Sequence, residues 1–143
     1  KIFSYSNGVI LYEGERFFLM EVTGMYLFEL GLSEEKMKNI LFESAFSVGQ
    51  NIFTRFDIKN VQSLLELLAA LGWGAPSLIA SGSKFQLVIK HFPWTKWYNK
   101  VDYILVRGLL SGAFSKILNR NIRLGKPQID VSGGYLSLLF NGE

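Results

Sequence analysis

Ser77-Leu-Ile-Ala-Ser-Gly-Ser-Lys-Phe-Gln-Leu-Val-Ile-Lys-His91 is the stretch that decides the fold class. Two segments, Ser77 to Ala80 and Lys84 to His91, flank Ser81-Gly82-Ser83. In the second segment Phe85, Leu87 and Ile89 point to one face, while Gln86, Val88 and Lys90 point to the other. A period of two belongs to a strand, and two strands around a short Ser-Gly turn read as a hairpin. A second hairpin is expected from Ile122 to Val131 and Tyr135 to Phe140, turning at Ser132-Gly133-Gly134.

Upstream of residue 77 the period is helical. Ser33 reads as an N-cap, with Glu34 and Glu35 in the first turn that follows it. Met37, Ile40, Leu41, Ser44, Val48 and Ile52 keep helical spacing, and Phe42, Phe46 and Phe53 widen the apolar surface. A face that wide is buried from two sides or lines a cavity. Another helix is expected from Lys59 to Leu71, closed by Gly72 in a left-handed conformation. Arg16 to Leu30 reads as a helix weakened by Gly24, and Val9 to Glu13 as an edge strand or extended lead-in. A further helix, from about Lys100 to Leu118, separates the two hairpins. The expected class is α+β: helices packed on a small twisted antiparallel sheet made of two hairpins. Hairpins without crossover helices between parallel strands argue against a doubly wound nucleotide fold.

The 143 residues are enough for one domain spanning 1–143, read as part of a longer chain because it starts at Lys1. Apolar residues at 49% against 19% charged ones mark a folded chain. With no cysteine there is no disulfide framework, no Cys-ligated zinc and no thiol nucleophile. The single histidine, His91, excludes a multi-His metal site. The longest uncharged stretch, Leu67 to Ser83, is broken by Gly72, Gly74, Pro76 and Gly82 and cannot span a membrane. No secretory signal pattern is visible, so the expected compartment is the cytoplasm.

Walker, dinucleotide and nucleophile-elbow motifs are absent from the sequence. Glu34 and Glu35 project about 100° apart on a helix and read as helix-start charges rather than a catalytic pair. The sequence offers no catalytic residues. Gly108-Leu-Leu-Ser-Gly112 puts two glycines on one helical face, where another backbone or a ligand comes close. Between Lys84 and Lys126 there are nine basic residues against Asp102 alone, whereas Glu13 to Glu66 carries nine acids and five bases. That asymmetry points to an anionic partner, or simply to a solvated face. Lys90 to Lys100 mixes four aromatics with three lysines. This composition suits base stacking, a membrane interface, a lid, or a loop tacked down by its rings.

Three sets of residues together resemble the 4-vinyl reductase domain family. They are Leu41-Phe-Glu-Ser-Ala-Phe-Ser-Val-Gly49, Leu71-Gly-Trp-Gly74, and Gly108-Leu-Leu-Ser-Gly112-Ala-Phe followed by Leu118-Asn-Arg-Asn-Ile122 and the Gly133 turn. The family includes sensor domains of aromatic-responsive transcription activators, and subunits of the TRAPP vesicle-tethering complex share its fold. Phenol-sensing relatives hold zinc with three cysteines, at positions that read here as Tyr103, Ile129 and Ser137. An apolar Ile129 cannot ligate, so neither a metal nor another cofactor is expected. The resemblance implies a cavity between helices and sheet near Phe46, Gln50, Phe53, Leu78, Ala80, Arg107 and Leu124. In it the phenylalanines bury an apolar body, and Arg107 or Tyr103 fixes a polar end. The implied function is a non-enzymatic sensor of a hydrophobic small molecule, aromatic or lipid-like and acidic. It would act as a homodimer, with a DNA-binding domain or regulator as partner. The alternative is an assembly module like the tethering subunits, with a basic face for peripheral contact with a membrane or an acidic protein. Direct nucleic-acid binding through Trp94 and Trp97 ranks below both.

Overall fold

The computed structural model describes residues 4–6, 9–12, 15–17, 22–32, 34–52, 56, 58–81, 84–93, 99–132 and 135–142. In chain order these form β1 (Ser4–Ser6), β2 (Val9–Tyr12), β3 (Glu15–Phe17), α1 (Val22–Leu30), α2 (Glu35–Ile52) and α3 (Val61–Ala70). They continue with β4 (Ala75–Ser81), β5 (Lys84–Phe92), α4 (Ile104–Leu118), β6 (Gln128–Ser132) and β7 (Tyr135–Gly142). The class is α+β, as the two periods require. The two hairpins join through β5 and β7 into one antiparallel sheet of order β4-β5-β7-β6. A separate antiparallel sheet, β1-β2-β3, precedes the helices.

Alternation along the strands sets the core. Phe85, Leu87 and Ile89 of β5 and Leu136, Leu138 and Phe140 of β7 are all buried. They meet α4, where Phe114 stands edge-on to Phe85 at 5.2 Å between ring centres. Leu64, Leu67 and Leu68 of α3 complete the same cluster. Near the end of β5 the register slips: Ile89 pairs with Leu138, but Phe92 pairs with Leu136. The extra residue falls in Lys90-His91, where His91 takes a φ of 59°. Such a bulge turns Phe92 back to the buried face, where it touches the rings of Trp73 and Tyr103. Gly74, at φ 95°, lies behind the bulge, and a Cβ there would overlap the Lys90 carbonyl oxygen.

Local signals explain the helix ends. Asn60 caps α3 by accepting from the Ser63 N–H at 2.9 Å. At the other end Trp73 N donates to Leu68 O and Gly72 N to Ala69 O, with Gly72 at φ 81°. This is the Schellman arrangement, in which the left-handed residue is glycine. Tyr103 takes a left-handed φ of 57° at the start of α4, so that helix begins at Ile104 rather than near Lys100. Ser33, Met20, Trp94 and Trp97 lie outside the described residues.

Three expectations are corrected. Arg16 and Phe17 are strand, paired with Leu11 and Ile10, and the helix starts only at Val22. Pairing to a neighbouring strand overrides the helical spacing of Phe17 with the residues after it, because they belong to different elements. The second hairpin starts at Gln128, since residues 122–124 run along α4 instead, apart from one bridge between Leu124 and Gly142. The apolar surface of α2 is not buried from two sides: Met37, Ile40 and Val48 are exposed, while Leu41, Phe42 and Phe46 are half-buried. No helix among the described residues is long and apolar enough to cross a membrane.

Candidate functional site

One helix, α4, organises the site with two of its faces. Gly108 and Gly112 turn toward α2, whose Gly49 turns back toward α4. A Cβ on Gly112 would overlap the Phe46 carbonyl oxygen and lie 2.8 Å from Phe46 C and 2.9 Å from Gln50 N. On Gly108 it would lie 2.6 Å from Ala45 Cβ and Phe42 O, and on Gly49 2.9 Å from Leu109 C. The two glycines on one helical face thus admit the backbone of α2. The other face carries Arg107, Ser111 and Ser115 at intervals of four, and it binds residues 122–124. Ser115 Oγ accepts from Ile122 N at 2.8 Å and donates to Ile122 O at 3.1 Å. Ser111 Oγ accepts from Leu124 N at 2.9 Å, and Arg107 Nε donates to Leu124 O at 2.9 Å.

Where the starts of α2 and α4 meet residues 123–125, a cleft of about 360 Å³ remains. Phe42, Ile104 and Leu124 give it an apolar floor, and Lys38, Arg107 and Arg123 oppose Glu35, Glu43 and Asp102 around it. Most of these charges pair off. Asp102 lies 2.7 Å from Lys126 Nζ and 3.7 Å from Lys38 Nζ. The Lys126 hydrogen bond, aided by the charges of Lys38 and Arg107, holds its carboxyl below the usual range. Glu43 accepts from both terminal nitrogens of Arg123, at 2.6 and 3.3 Å, and that contact lowers its pKa too. The Arg123 guanidinium also lies over the rings of Phe42 and Phe46, at 5.4 and 5.3 Å.

Arg107 is different. Its guanidinium is half-buried and 5.6 Å over the Phe42 ring. Its bonded acceptors are backbone carbonyls only: Leu124 O, and Asp102 O at 3.4 Å from Nη1. Burial pulls its pKa down, while Asp102, Glu29 and Glu35 act on it only at a distance. A guanidinium has five N–H groups, so three have no acceptor among the described residues.

Behind the cleft, the first turn of α4 is capped by another helix. Tyr103 supplies no side-chain cap, and no acidic residue stands in the helix's own first turn. Glu29 of α1, only 4% exposed, accepts from Leu105 N at 3.3 Å. Burial raises its pKa, and the backbone N–H groups of Ile104, Leu105 and Asp102 oppose the rise. Nothing in the sequence around Glu29 marks this role except an acid inside an apolar helix.

The structure brings Arg107 and Leu124 together at the cleft. Tyr103 is fully buried against Phe92. Phe46 is half-buried on α2 beneath Arg123, and Gln50 half-buried one turn further on. Leu78 packs against the core from β4. Ala80 lies in β4, with its side chain outside the described residues, and Phe53 lies outside them altogether. Lys38, Asn39, Phe42 and Arg123 line the cleft without having been singled out as ligand contacts. The first three share one sequence signal, an α2 first half carrying both charge and a phenylalanine, and Arg123 in the segment after α4 carries none. Among the described residues no group of three His, Cys, Asp or Glu could hold a metal ion. Of the positions matching the relatives' zinc ligands, Ile129 pairs with Leu138 on the buried face and Ser137 with Asp130 on the other. Those two side chains point apart.

No protein-family model matches the sequence, and no curated protein matches it. Solved structures do resemble it. A vinyl-4-reductase family protein from Methanocaldococcus jannaschii superposes with a TM-score of 0.63 at 14% identity, over 87% of this chain and 82% of that one. The chain has the vinyl-4-reductase fold. The phenol-responsive sensory domain of the transcription activator PoxR, solved with phenol, matches at a TM-score of 0.62 and 11% identity. That match covers 97% of this chain and 84% of the other. At such identities the likeness is one of vinyl-4-reductase fold alone.

Proposed function

We propose that this chain is a non-enzymatic small-molecule sensor domain, dimeric, and coupled to a DNA-binding domain or regulator in the cytoplasm. The observation that carries the reading is an open cleft of about 360 Å³, within the range of small-ligand sites, on a fold it shares with a phenol-responsive sensory domain. Among the described residues no acid–base pair with a nucleophile assembles at the cleft: its carboxylates Glu35, Glu43 and Asp102 lie beside lysines and an arginine. Leu27, Phe28 and Leu30 on α1 and Met37, Ile40 and Val48 on α2 are exposed, which supports self-association through these helices. Ligand binding would then shift the population of dimer arrangements and alter a partner's output.

Native mass spectrometry of the purified protein, with denaturing extraction of anything retained, tests the reading. One small molecule per chain, on a dimer, is the expected result. An empty dimer whose melting temperature is unmoved by a panel of aromatic and lipid ligands would overturn it in favour of an assembly module.

A further inference from the structure

We propose that the cleft is built for an aromatic carboxylate, its anionic group on Arg107 beside Asn39 and its ring against Phe42. The proposal rests on the sensor reading and adds the charge and place of the ligand. Three observations support it. The first is the electrostatic balance of the cleft. Glu43 is taken by Arg123, Asp102 by Lys126 and Lys38, and Glu35 lies 3.9 Å from Lys38 Nζ, but among the described residues Arg107 is bonded to carbonyls alone. A half-buried guanidinium without a carboxylate is an unfavourable arrangement that an anionic ligand relieves.

The second is geometry. Arg107 is held by its Nε bond to Leu124 O and its longer Nη1 contact to Asp102 O, so the remaining N–H groups are oriented before a ligand arrives. The side chain of Asn39, exposed on α2 and lining the same cleft, makes no hydrogen bond among the described residues and adds an amide donor. The third is the apolar part. Phe42 lines the cleft with its ring near the guanidinium groups of Arg107 and Arg123, and Ile104 and Leu124 line it too. A neutral aromatic would leave the half-buried charge of Arg107 as it is.

Benzoate and its neutral counterpart, benzyl alcohol, separate the alternatives. Binding is followed by two-dimensional NMR on the intact protein, with inorganic phosphate as a third probe. The expected result is benzoate binding roughly 10- to 100-fold tighter than benzyl alcohol. The largest shifts should fall on the amides of Asn39, Phe42 and Gly125. Phosphate should compete only weakly, since it lacks the ring. Arg107→Gln should remove the preference for benzoate. Because Arg107 also holds Leu124, Asn39→Leu is the second variant: exposed on α2, it should lower benzoate affinity without unfolding the protein. Benzyl alcohol binding as well as benzoate, or benzoate shifting amides elsewhere, overturns the carboxylate site and leaves the sensor reading standing. Phosphate binding as tightly as benzoate overturns the aromatic part. No binding by any of the three overturns the carboxylate site, and the extraction experiment then decides the sensor reading separately.

Discussion

Replacing Gly112 by alanine should destabilise the protein, against what helix propensity alone predicts. In an exposed helix the change is worth about 1 kcal/mol in favour of alanine. Here the new methyl would lie 2.8 Å from Phe46 C and 2.9 Å from Gln50 N, where ordinary contacts begin at 3.4 Å. The atoms met are backbone, so no rotamer change makes room, and α2 must retreat by about 1 Å. The retreat also opens the contacts of Gly108 with Ala45 and of Gly49 with Leu109 along the same seam. A gap of that size forfeits roughly a quarter to a half of the attraction of each atom pair. Overpacking against neighbours that can move costs about 1–3 kcal/mol, and rigid neighbours place this site at the upper end. Subtracting the propensity gain leaves a loss of about 2 kcal/mol, or roughly 4–8 °C in Tm for a chain of this length. Thermal and urea unfolding followed by circular dichroism measures it. Gly31→Ala is the control: its Cβ would lie 3.6 Å from Leu27 O and Phe28 O, and its φ is not left-handed. That variant should match wild type or exceed it slightly. A Gly112→Ala protein that melts above wild type would refute the backbone-to-backbone seam.

Other substitutions probe single devices. Asn60→Ala removes the α3 cap and should cost about 1 kcal/mol in urea unfolding. Ser115→Ala leaves the buried Ile122 N–H without its acceptor, and a loss of about 1–3 kcal/mol is expected. Hydrogen exchange at Ile122 should rise with it. For Glu29 the folded pKa is raised, so the folded state binds the proton first as pH falls. Its charge therefore costs stability above the raised pKa, and the cost disappears by the ordinary carboxyl value of 4.5. Glu29→Gln should be the more stable protein at neutral pH, with its advantage shrinking toward pH 4.5. A difference between the two proteins that does not change with pH would refute this.

The layout of α2, α3 and the two hairpins was legible because each carries its own period and punctuation. Asn60 and Gly72 stand where α3 starts and stops, and Phe85, Leu87 and Ile89 alternate as one face of β5 requires. Of the N-terminal sheet only β2 was legible, as the extended segment from Val9; β1 and β3 are three residues long, too short for a period to assert itself. Gly108 and Gly112 announced a close approach, but the spacing of two glycines does not say which backbone approaches. It is α2, not the sheet. Arg107 entered through the family resemblance alone, and its charged neighbours in the cleft did not. The cleft joins residues 35–43, 102–107 and 123–125, and no local pattern records which distant charges will meet. Glu29 capping α4 belongs to the same class of long-range event.

The strand order has a consequence for synthesis. β7 follows all the other described strands, yet it lies inside the sheet between β5 and β6. As the chain emerges from its N-terminus, β5 can pair with β4 at once but keeps its other edge bare until residues 135–142 appear. At translation rates of about 5–20 residues per second, the wait through α4 and β6 lasts on the order of a few seconds. During that interval Phe85, Leu87 and Ile89 sit along an unpaired edge, open to any other strand. The nascent sheet is therefore most exposed to mispairing just before β7 arrives, and a chaperone that shields β5 would act in that window.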